Sequence, residues 1–195
     1  MAIRDFELYH GALLTKLVRS DRPITIRMVE TDTNECWSVY TIDDDVTIYT
    51  KSSGHGDFCE KDKSVKWTFT FQPRHLHDLR RLSEQNDVRL ALVCANHRLP
   101  LRVPFTFDDP RKAWEMWLGR ENALRRKRTG ICFLEADEWR RCLDLPAGGT
   151  QSITVELAKG RGFLVNGHLR VPQNRLDTWQ VREPPQFGRL VCSGS

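Results

Sequence analysis

The sequence predicts one α/β domain of the α+β kind, in which a mixed, mainly antiparallel central sheet is flanked by helices. Apolar and polar residues alternate in four segments between residues 24 and 71, which is the period of half-buried strands. Apolar residues recur at three- and four-residue spacing in the flanking segments 3–18 and 73–83, which is typical of amphipathic helices. A chain of 195 residues can bury a substantial core in a single domain.

The first half of the chain is predicted to form a helix, a strand meander, a second helix and a further strand. The meander consists of strands at about 24–30, 36–42 and 45–52, and Asp43 and Asp44 form a tight turn before the third. A polar, glycine-bearing loop separates it from a strand at 67–71, which we expect to belong to the same sheet. Pro73 opens the second helix, and the apolar segment 88–94 is predicted to lie in the middle of the sheet. Across this sheet we expect burial of Ile26, Met28, Val39, Ile48, Trp67, Phe69 and Phe71.

The second half of the chain alternates between short strands and helices. Pro100 and Pro104 indicate that a strand at 96–105 lies at a sheet edge. We expect residues 1–180 to form the domain, residues 104–130 an aromatic and basic insertion, and residues 181–195 a flexible tail. The remaining predicted elements are a helix at 113–126, a strand at 131–134, a helix at 135–145 and a hairpin of strands at 152–157 and 163–165.

Composition indicates a soluble globular protein, with 39% hydrophobic and 29% charged residues. No apolar run approaches the roughly 18 residues that span a bilayer, and acidic residues interrupt the first ten positions where a signal peptide would be apolar. We therefore expect a cytoplasmic protein that does not contact membranes. Its six cysteines, which include no CxxC pair, are expected to be reduced.

The meander carries acidic residues and one lysine that suggest a site acting on phosphodiesters. Helix, strand meander, helix and strand is the element order of the PD-(D/E)XK restriction-endonuclease-like superfamily, which residues 3–94 resemble in part. Members of that family hold a divalent metal with an acid near the start of one strand and an acid in an ExK motif on the next. In this resemblance Lys51 matches the ExK lysine, Glu30 or Asp32 the first acid, and Glu7 the acid that some members carry on the helix.

The resemblance implies catalytic roles for Glu30, Asp45 and Lys51. Glu30 and Asp45 would hold Mg²⁺ or Mn²⁺, and Lys51 would orient the attacking water or stabilise the developing charge. One position departs from the motif, since Tyr49 stands where the ExK acid is expected. Either Asp45 substitutes for that acid, because alternation directs Asp45, Thr47, Tyr49 and Lys51 to one face, or the site is inactive. The other interpretation is a solvated acidic turn with a charge at the strand end.

A second candidate site is a basic cluster that contains Arg120, Arg125, Arg126, Lys127 and Arg128. Closely spaced cations can neutralise nucleic-acid phosphates, and nearby tryptophans could stack on bases. The same cations would also suit a solvated helix end.

Two functions from different classes follow from these sites. The first is a nucleic-acid-interacting protein with DNA or RNA as its partner and a nuclease-like core. That core would be either a metal-dependent phosphodiesterase or a degenerate form of one. The alternative is a non-enzymatic module that docks a protein partner through the aromatic and basic segment.

Overall fold

The computed structural model describes residues 5–19, 23–59, 61–95, 130–145, 148–158 and 160–179. Within these ranges ten strands form two five-stranded sheets, accompanied by four helices. The predicted α+β class with a mixed, mainly antiparallel sheet is confirmed. The elements in chain order are α1 (Asp5–Leu17), β1 (Ile26–Asp32), β2 (Trp37–Ile42), β3 (Val46–Ser53), β4 (Asp57–Cys59), β5 (Ser64–Phe71), α2 (Pro73–Gln85), β6 (Asp87–Cys94), β7 (Gly130–Leu134), α3 (Ala136–Cys142), β8 (Gln151–Ala158), β9 (Gly162–Val165), β10 (Leu169–Val171) and α4 (Arg175–Thr178).

The first sheet has the strand order β1-β2-β3-β6-β7. Strands β1, β2 and β3 form an antiparallel meander, β6 runs parallel to β3, and β7 is antiparallel to β6. The turn before β3 is tight because Asp43 and Asp44 both adopt positive φ angles, of 52° and 57°, and the Asp45 N–H donates to the Ile42 carbonyl at 3.1 Å. Aspartate tolerates this left-handed conformation better than most residues, which explains why an acidic run forms the turn.

The second sheet is antiparallel throughout, in the order β10-β9-β8-β5-β4. The expectation that the strand at 67–71 joins the meander is therefore wrong: β5 pairs with β8, and Trp67 lies opposite Val155. Alternation predicts that a segment is a strand but does not identify its partner. The chain leaves the first sheet after β3 through Gly56, where a Cβ atom would lie 2.4 Å from a methyl carbon of Val65, so only glycine fits this close approach.

The larger core lies between the inner face of the first sheet, the second sheet, and helices α2 and α3. Two fully buried tryptophans anchor it, and each donates its indole N–H to a carbonyl at 2.8 Å, Trp67 to Ala95 and Trp139 to Val88. These bonds satisfy the one polar atom of each ring. Other members are Val39, Phe69, Phe71, Leu76, Leu79, Leu90, Leu92, Ile153, Val155 and Phe163.

A smaller core lies on the outer face of the first sheet, which helices α1 and α4 cover. Leu13 and Leu17 of α1 and Leu176 of α4 pack there on residues that alternate with those of the inner face. The sheet residues in this core are Tyr40, Ile42, Val46, Ile48, Ala91 and Phe133. The first sheet is thus covered on both faces.

Burial agrees with five of the seven residues predicted for the core, namely Val39, Ile48, Trp67, Phe69 and Phe71. Ile26 is half-buried. The prediction fails for Met28, whose residue surface is 57% exposed. The reason is that β1 ends the described sheet and carries a bulge between Met28 and Glu30, so this edge is not covered as a central strand would be.

Several sequence predictions lie outside the described residues. These are the edge strand at 96–105, the helix at 113–126, the insertion at 104–130 apart from Gly130, and the tail at 181–195. Among the helices that the structure does describe, none is both long and apolar enough to cross a membrane.

Candidate functional site

Lys51 is close to the carboxyl end of β3, the central strand of the first sheet. It lies opposite Trp37, the first residue of β2, and Trp37 in turn lies opposite Asp32 at the end of β1. The loop that joins β1 to β2 therefore passes beside Lys51. This loop supplies Glu35, and the first turn of α2 supplies Arg74 and His75. These three residues and Lys51 are called the Lys51 cluster below.

The three residues predicted to act together are separated by the strand register. Asp45 precedes β3 and Lys51 lies near its other end, a distance of about 20 Å at the usual rise per residue. Asp45 belongs to the turn, so it does not share the β3 face of Thr47, Tyr49 and Lys51. Glu30 lies opposite Val39, which is two residues along β2 from Trp37 at the level of Lys51, and it forms a 3.8 Å ion pair with Arg81. Glu30 and Asp45 therefore do not converge on one metal.

The other predicted residues are also accounted for. Glu7 is exposed on α1. Asp32 lies level with Lys51, but its carboxylate accepts the backbone N–H groups of Asn34 and Glu35 at 2.8 and 3.1 Å. These two bonds lower the pKa of Asp32. Asp32 thus shapes the loop that presents Glu35. The basic residues Arg120, Arg125, Arg126, Lys127 and Arg128 lie outside the described residues.

Lys51 is buried, with only 7% of its surface exposed. Its ammonium group donates to the backbone carbonyl of Glu35 at 3.3 Å and lies 5.7 Å from the centre of the Phe71 ring. Burial lowers the pKa of Lys51, although the Glu35 carboxylate acts in the opposite direction. No carboxylate forms an ion pair with Lys51 within the described part of the chain. Lys51 is therefore a buried cation with donor capacity to spare.

Glu35 is the one carboxylate of the cluster, and its two oxygens have different partners. One oxygen forms an ion pair with the Arg74 guanidinium and the other binds Nε2 of His75. Burial alone would raise the pKa of Glu35, but the bonds from Arg74 and His75 outweigh it and the pKa is lowered. The side chain of Arg74 is 57% exposed, whereas that of His75 is 1% exposed. The cluster thus reaches solvent through Arg74.

His75 holds Glu35 in position and is poorly suited to act as a general base. Its Nδ1 accepts the backbone N–H of Gln72 at 3.1 Å, so the ring proton belongs on Nε2, which donates to Glu35. Both ring nitrogens are used in this tautomer. Burial, followed by the nearby charge of Lys51, lowers the pKa of His75 and favours the neutral ring. A base needs a free lone pair, and this imidazole has none.

Tyr49 occupies the position where the ExK motif has an acid, and it is completely buried. Its ring stacks on Trp37 with centroids 5.5 Å apart and planes 9° apart. Burial, together with the charges of Asp78 and Glu30, raises the pKa of the Tyr49 phenol. Its hydroxyl oxygen and the Trp37 indole nitrogen have no hydrogen-bond partner among the described residues. A neutral phenol cannot replace a carboxylate as a ligand for Mg²⁺.

The described residues do not fit a divalent metal. Nowhere in the described ranges do three or more histidine, cysteine, aspartate or glutamate residues converge as a metal site would require. Glu35 is the one carboxylate of the Lys51 cluster, and it already carries two positively polarised partners. Mg²⁺ and Mn²⁺ need oxygen ligands that are free to bind. What this cluster does provide is hydrogen-bond donors and a buried positive charge.

Sequence reasoning missed Glu35, Arg74 and His75 as members of the site. Glu35 lies in a short polar loop between two strands, and its importance depends on an α2 residue forty positions later in the chain. The only local signal was Pro73, which marks the start of α2 and so places Arg74 and His75 in the first turn of the helix. Comparison with known proteins adds no assignment: no family model, no curated protein and no solved structure matches this chain.

Proposed function

We propose that this protein interacts with nucleic acid through phosphate groups and carries a nuclease-like core that is degenerate for metal-dependent cleavage. The observation that carries the proposal is the buried ammonium group of Lys51, which has no carboxylate partner among the described residues. A buried cation costs free energy unless an anion compensates it. A phosphate oxygen is an anion of suitable chemistry.

The order of elements supports a nuclease-like core. A helix, a three-stranded meander, a second helix and a strand parallel to the third occur in α1, β1–β3, α2 and β6, with the β4–β5 hairpin inserted before α2. The resemblance stated from sequence expects an acid near the start of one strand and a lysine on the next. Glu35, two residues before β2, and Lys51 on β3 agree with that expectation.

The same residues argue for binding without hydrolysis. Tyr49 stands at the position of the second acid of the ExK motif. The carboxylate of Glu35 is already bound by Arg74 and His75. Arg74 is the exposed member of the Lys51 cluster, so its guanidinium offers a first contact for a phosphate that approaches from solvent. The basic residues at 120–128 would add backbone contacts, and their part in binding stays a prediction.

A binding and cleavage assay on the full chain tests this proposal. Fluorescently labelled single- and double-stranded DNA and RNA are titrated at low salt, and the same substrates are incubated with Mg²⁺ or Mn²⁺. We expect binding without cleavage, and weaker binding by Lys51→Met. Lys66→Met is the matched control, because Lys66 is an exposed lysine on β5. Absence of binding to every nucleic acid at low salt would overturn the proposal, and cleavage that Lys51→Met abolishes would replace it with an active nuclease.

A protein-docking module is the second candidate, and one described feature favours it. Met28 and Val29 are adjacent on β1, the edge strand of the first sheet, and are 57% and 52% exposed. Exposed apolar residues on a sheet edge are typical of surfaces that pair with other chains. Salt separates the two functions, because phosphate binding weakens steeply as salt rises whereas an apolar interface does not.

A further inference from the structure

A groove of about 630 Å³ lies on the outer face of the first sheet, where α1 and α4 meet the ends of β6 and β7. Its volume falls within the range of about 300–1,000 Å³ that small-molecule sites occupy. It shares no residue with the Lys51 cluster, which opens at the loop between β1 and β2. An inference about this groove therefore does not depend on the proposed function.

The floor of the groove is apolar. Val93 and Ala95 at the end of β6 and Leu176 of α4 are buried, and Ile131 of β7 is half-buried. The α1 residue that lines the groove above them, Ala12, has a small side chain that leaves space free. An apolar ligand surface that covers this floor would gain the free energy of leaving water.

Among the residues that the structure describes, the rim of the groove is polar but electrically balanced. Lys16 of α1 and Asp177 of α4 form an ion pair across it, with side chains 40% and 45% exposed. Gln173 and Asn174, which both have carboxamide side chains, also line the groove. Since the two charges cancel, neither an anion nor a cation gains a net attraction, while either would lose hydration above an apolar floor.

We propose that this groove binds an uncharged amphipathic small molecule. Its apolar body would lie on Val93, Ile131 and Leu176, and its hydrogen-bonding groups would face the amides of Gln173 and Asn174. The groove lies at the carboxyl end of β6, which runs parallel to β3. In open α/β sheets the carboxyl ends of parallel strands are the usual place for ligands.

Titration of the full chain with Nile red, an uncharged amphipathic dye, tests whether the groove binds. We expect saturable 1:1 binding with a blue-shifted emission. Ala12→Phe should weaken it about tenfold or more, because the ring occupies the space that the dye would use. Thr15→Phe is the matched control, since Thr15 is exposed on the same helix and does not line the groove. Equal dye affinity in wild type and Ala12→Phe would overturn the proposal.

A second comparison tests the charge preference. The anionic dye anilinonaphthalene sulfonate should bind wild type more weakly than Nile red does. Asp177→Asn should strengthen binding of the anionic dye, because Lys16 is then unopposed, and leave Nile red unchanged. If wild type binds the anionic dye as tightly as the neutral one, the assignment to uncharged ligands is wrong. Should Ala12→Phe not fold, Gln173→Trp blocks the groove from its opposite wall and decides the same question.

Discussion

Glu35 and Glu138 both pair with an arginine at the border of the inner core, yet their surroundings differ in charge. The side chain of Glu138 is 11% exposed, pairs with Arg175, and accepts the backbone N–H of Glu135 at 2.9 Å. One carboxylate thus meets one guanidinium, and the same carboxylate oxygen, Oε2, accepts the capping bond of α3. Glu35 pairs with Arg74 and His75, whereas the ammonium group of the neighbouring Lys51 donates, within the described residues, only to the backbone carbonyl of Glu35.

The difference separates an ion pair that serves folding from a cluster that can serve binding. A buried pair with matched charges has no net charge that could attract a ligand. A buried cation without an anion lowers the stability of the free protein and favours any state in which an anion is supplied. The contrast should be visible in the stability of the protein, in the pH dependence of that stability and in the salt dependence of binding.

Breaking the Glu138–Arg175 ion pair should have the largest effect on stability. Glu138→Ala leaves the guanidinium of Arg175, which is 22% exposed, without its carboxylate, and should lower the free energy of unfolding by about 3 kcal/mol. Chemical denaturation measures this loss. Asp137→Ala is the control on the same helix, because the Asp137–Arg141 pair is exposed and should contribute less than about 0.5 kcal/mol. A loss of equal size in both variants would contradict the assignment of Glu138 as the buried partner.

Removal of the Lys51 charge should affect stability in the opposite direction. Lys51→Met keeps the apolar stem above Phe71 and deletes the buried ammonium group. The free energy of unfolding should therefore stay the same or rise by about 1 kcal/mol. Lys66→Met, at an exposed position on β5, should stay within about 0.5 kcal/mol of wild type. If Lys51→Met is strongly destabilised, the ammonium group is stabilising in the free protein, and Lys51 belongs with Glu138 as a structural residue.

The same lysine predicts a pH dependence of stability. Burial lowers the pKa of folded Lys51 below its ordinary value of 10.5. Between the two pKa values the unfolded chain binds more protons than the folded protein, so stability should rise as pH increases towards 10.5. Lys51→Met should lack this rise. Denaturation midpoints of the two proteins, measured from neutral pH upwards, provide the test, and parallel curves would assign the rise to another group.

The elements of the fold were largely predictable from sequence, whereas their partners were not. Periodicity identifies the meander, α2 and β6, because alternation and helical spacing are local properties. The same alternation cannot tell that β5 leaves the meander and pairs with β8, some ninety residues later. Nor can it show that Met28 lies on an edge with a bulge. Pairing depends on contacts between distant segments, which a single sequence does not encode in any local pattern.

The candidate site was predictable only in part, for the same reason. Lys51 was identified because it lies near the end of a predicted strand and matches the ExK lysine, and it is the member that the structure surrounds with other functional groups. Glu30 and Asp45 were chosen from the same meander, but the strand register places them away from Lys51 and from each other. Glu35 and His75 come together only because α2 packs its first turn against the loop between β1 and β2. A functional residue at the end of a single strand could be predicted from the sequence. A group of residues that meet only where two elements pack together could not.

The smallest expected effect is on the salt dependence of nucleic-acid binding, and it compares the Lys51 charge with the predicted basic cluster. If Lys51 contacts one phosphate, Lys51→Met should reduce the slope of log affinity against log salt by about 0.7–0.9. Replacing Arg125, Arg126, Lys127 and Arg128 with Gln or Ser should reduce it by about 3 if each of them makes one contact. Anisotropy titrations at several salt concentrations measure both slopes, with Lys66→Met as the control for loss of an exposed charge.

A slope that changes in the quadruple variant and not in Lys51→Met would assign binding to the basic cluster and would show that Lys51 does not contact a phosphate. A slope that changes in neither would leave both sites without a phosphate role and favour docking of a protein on the exposed edge at Met28 and Val29.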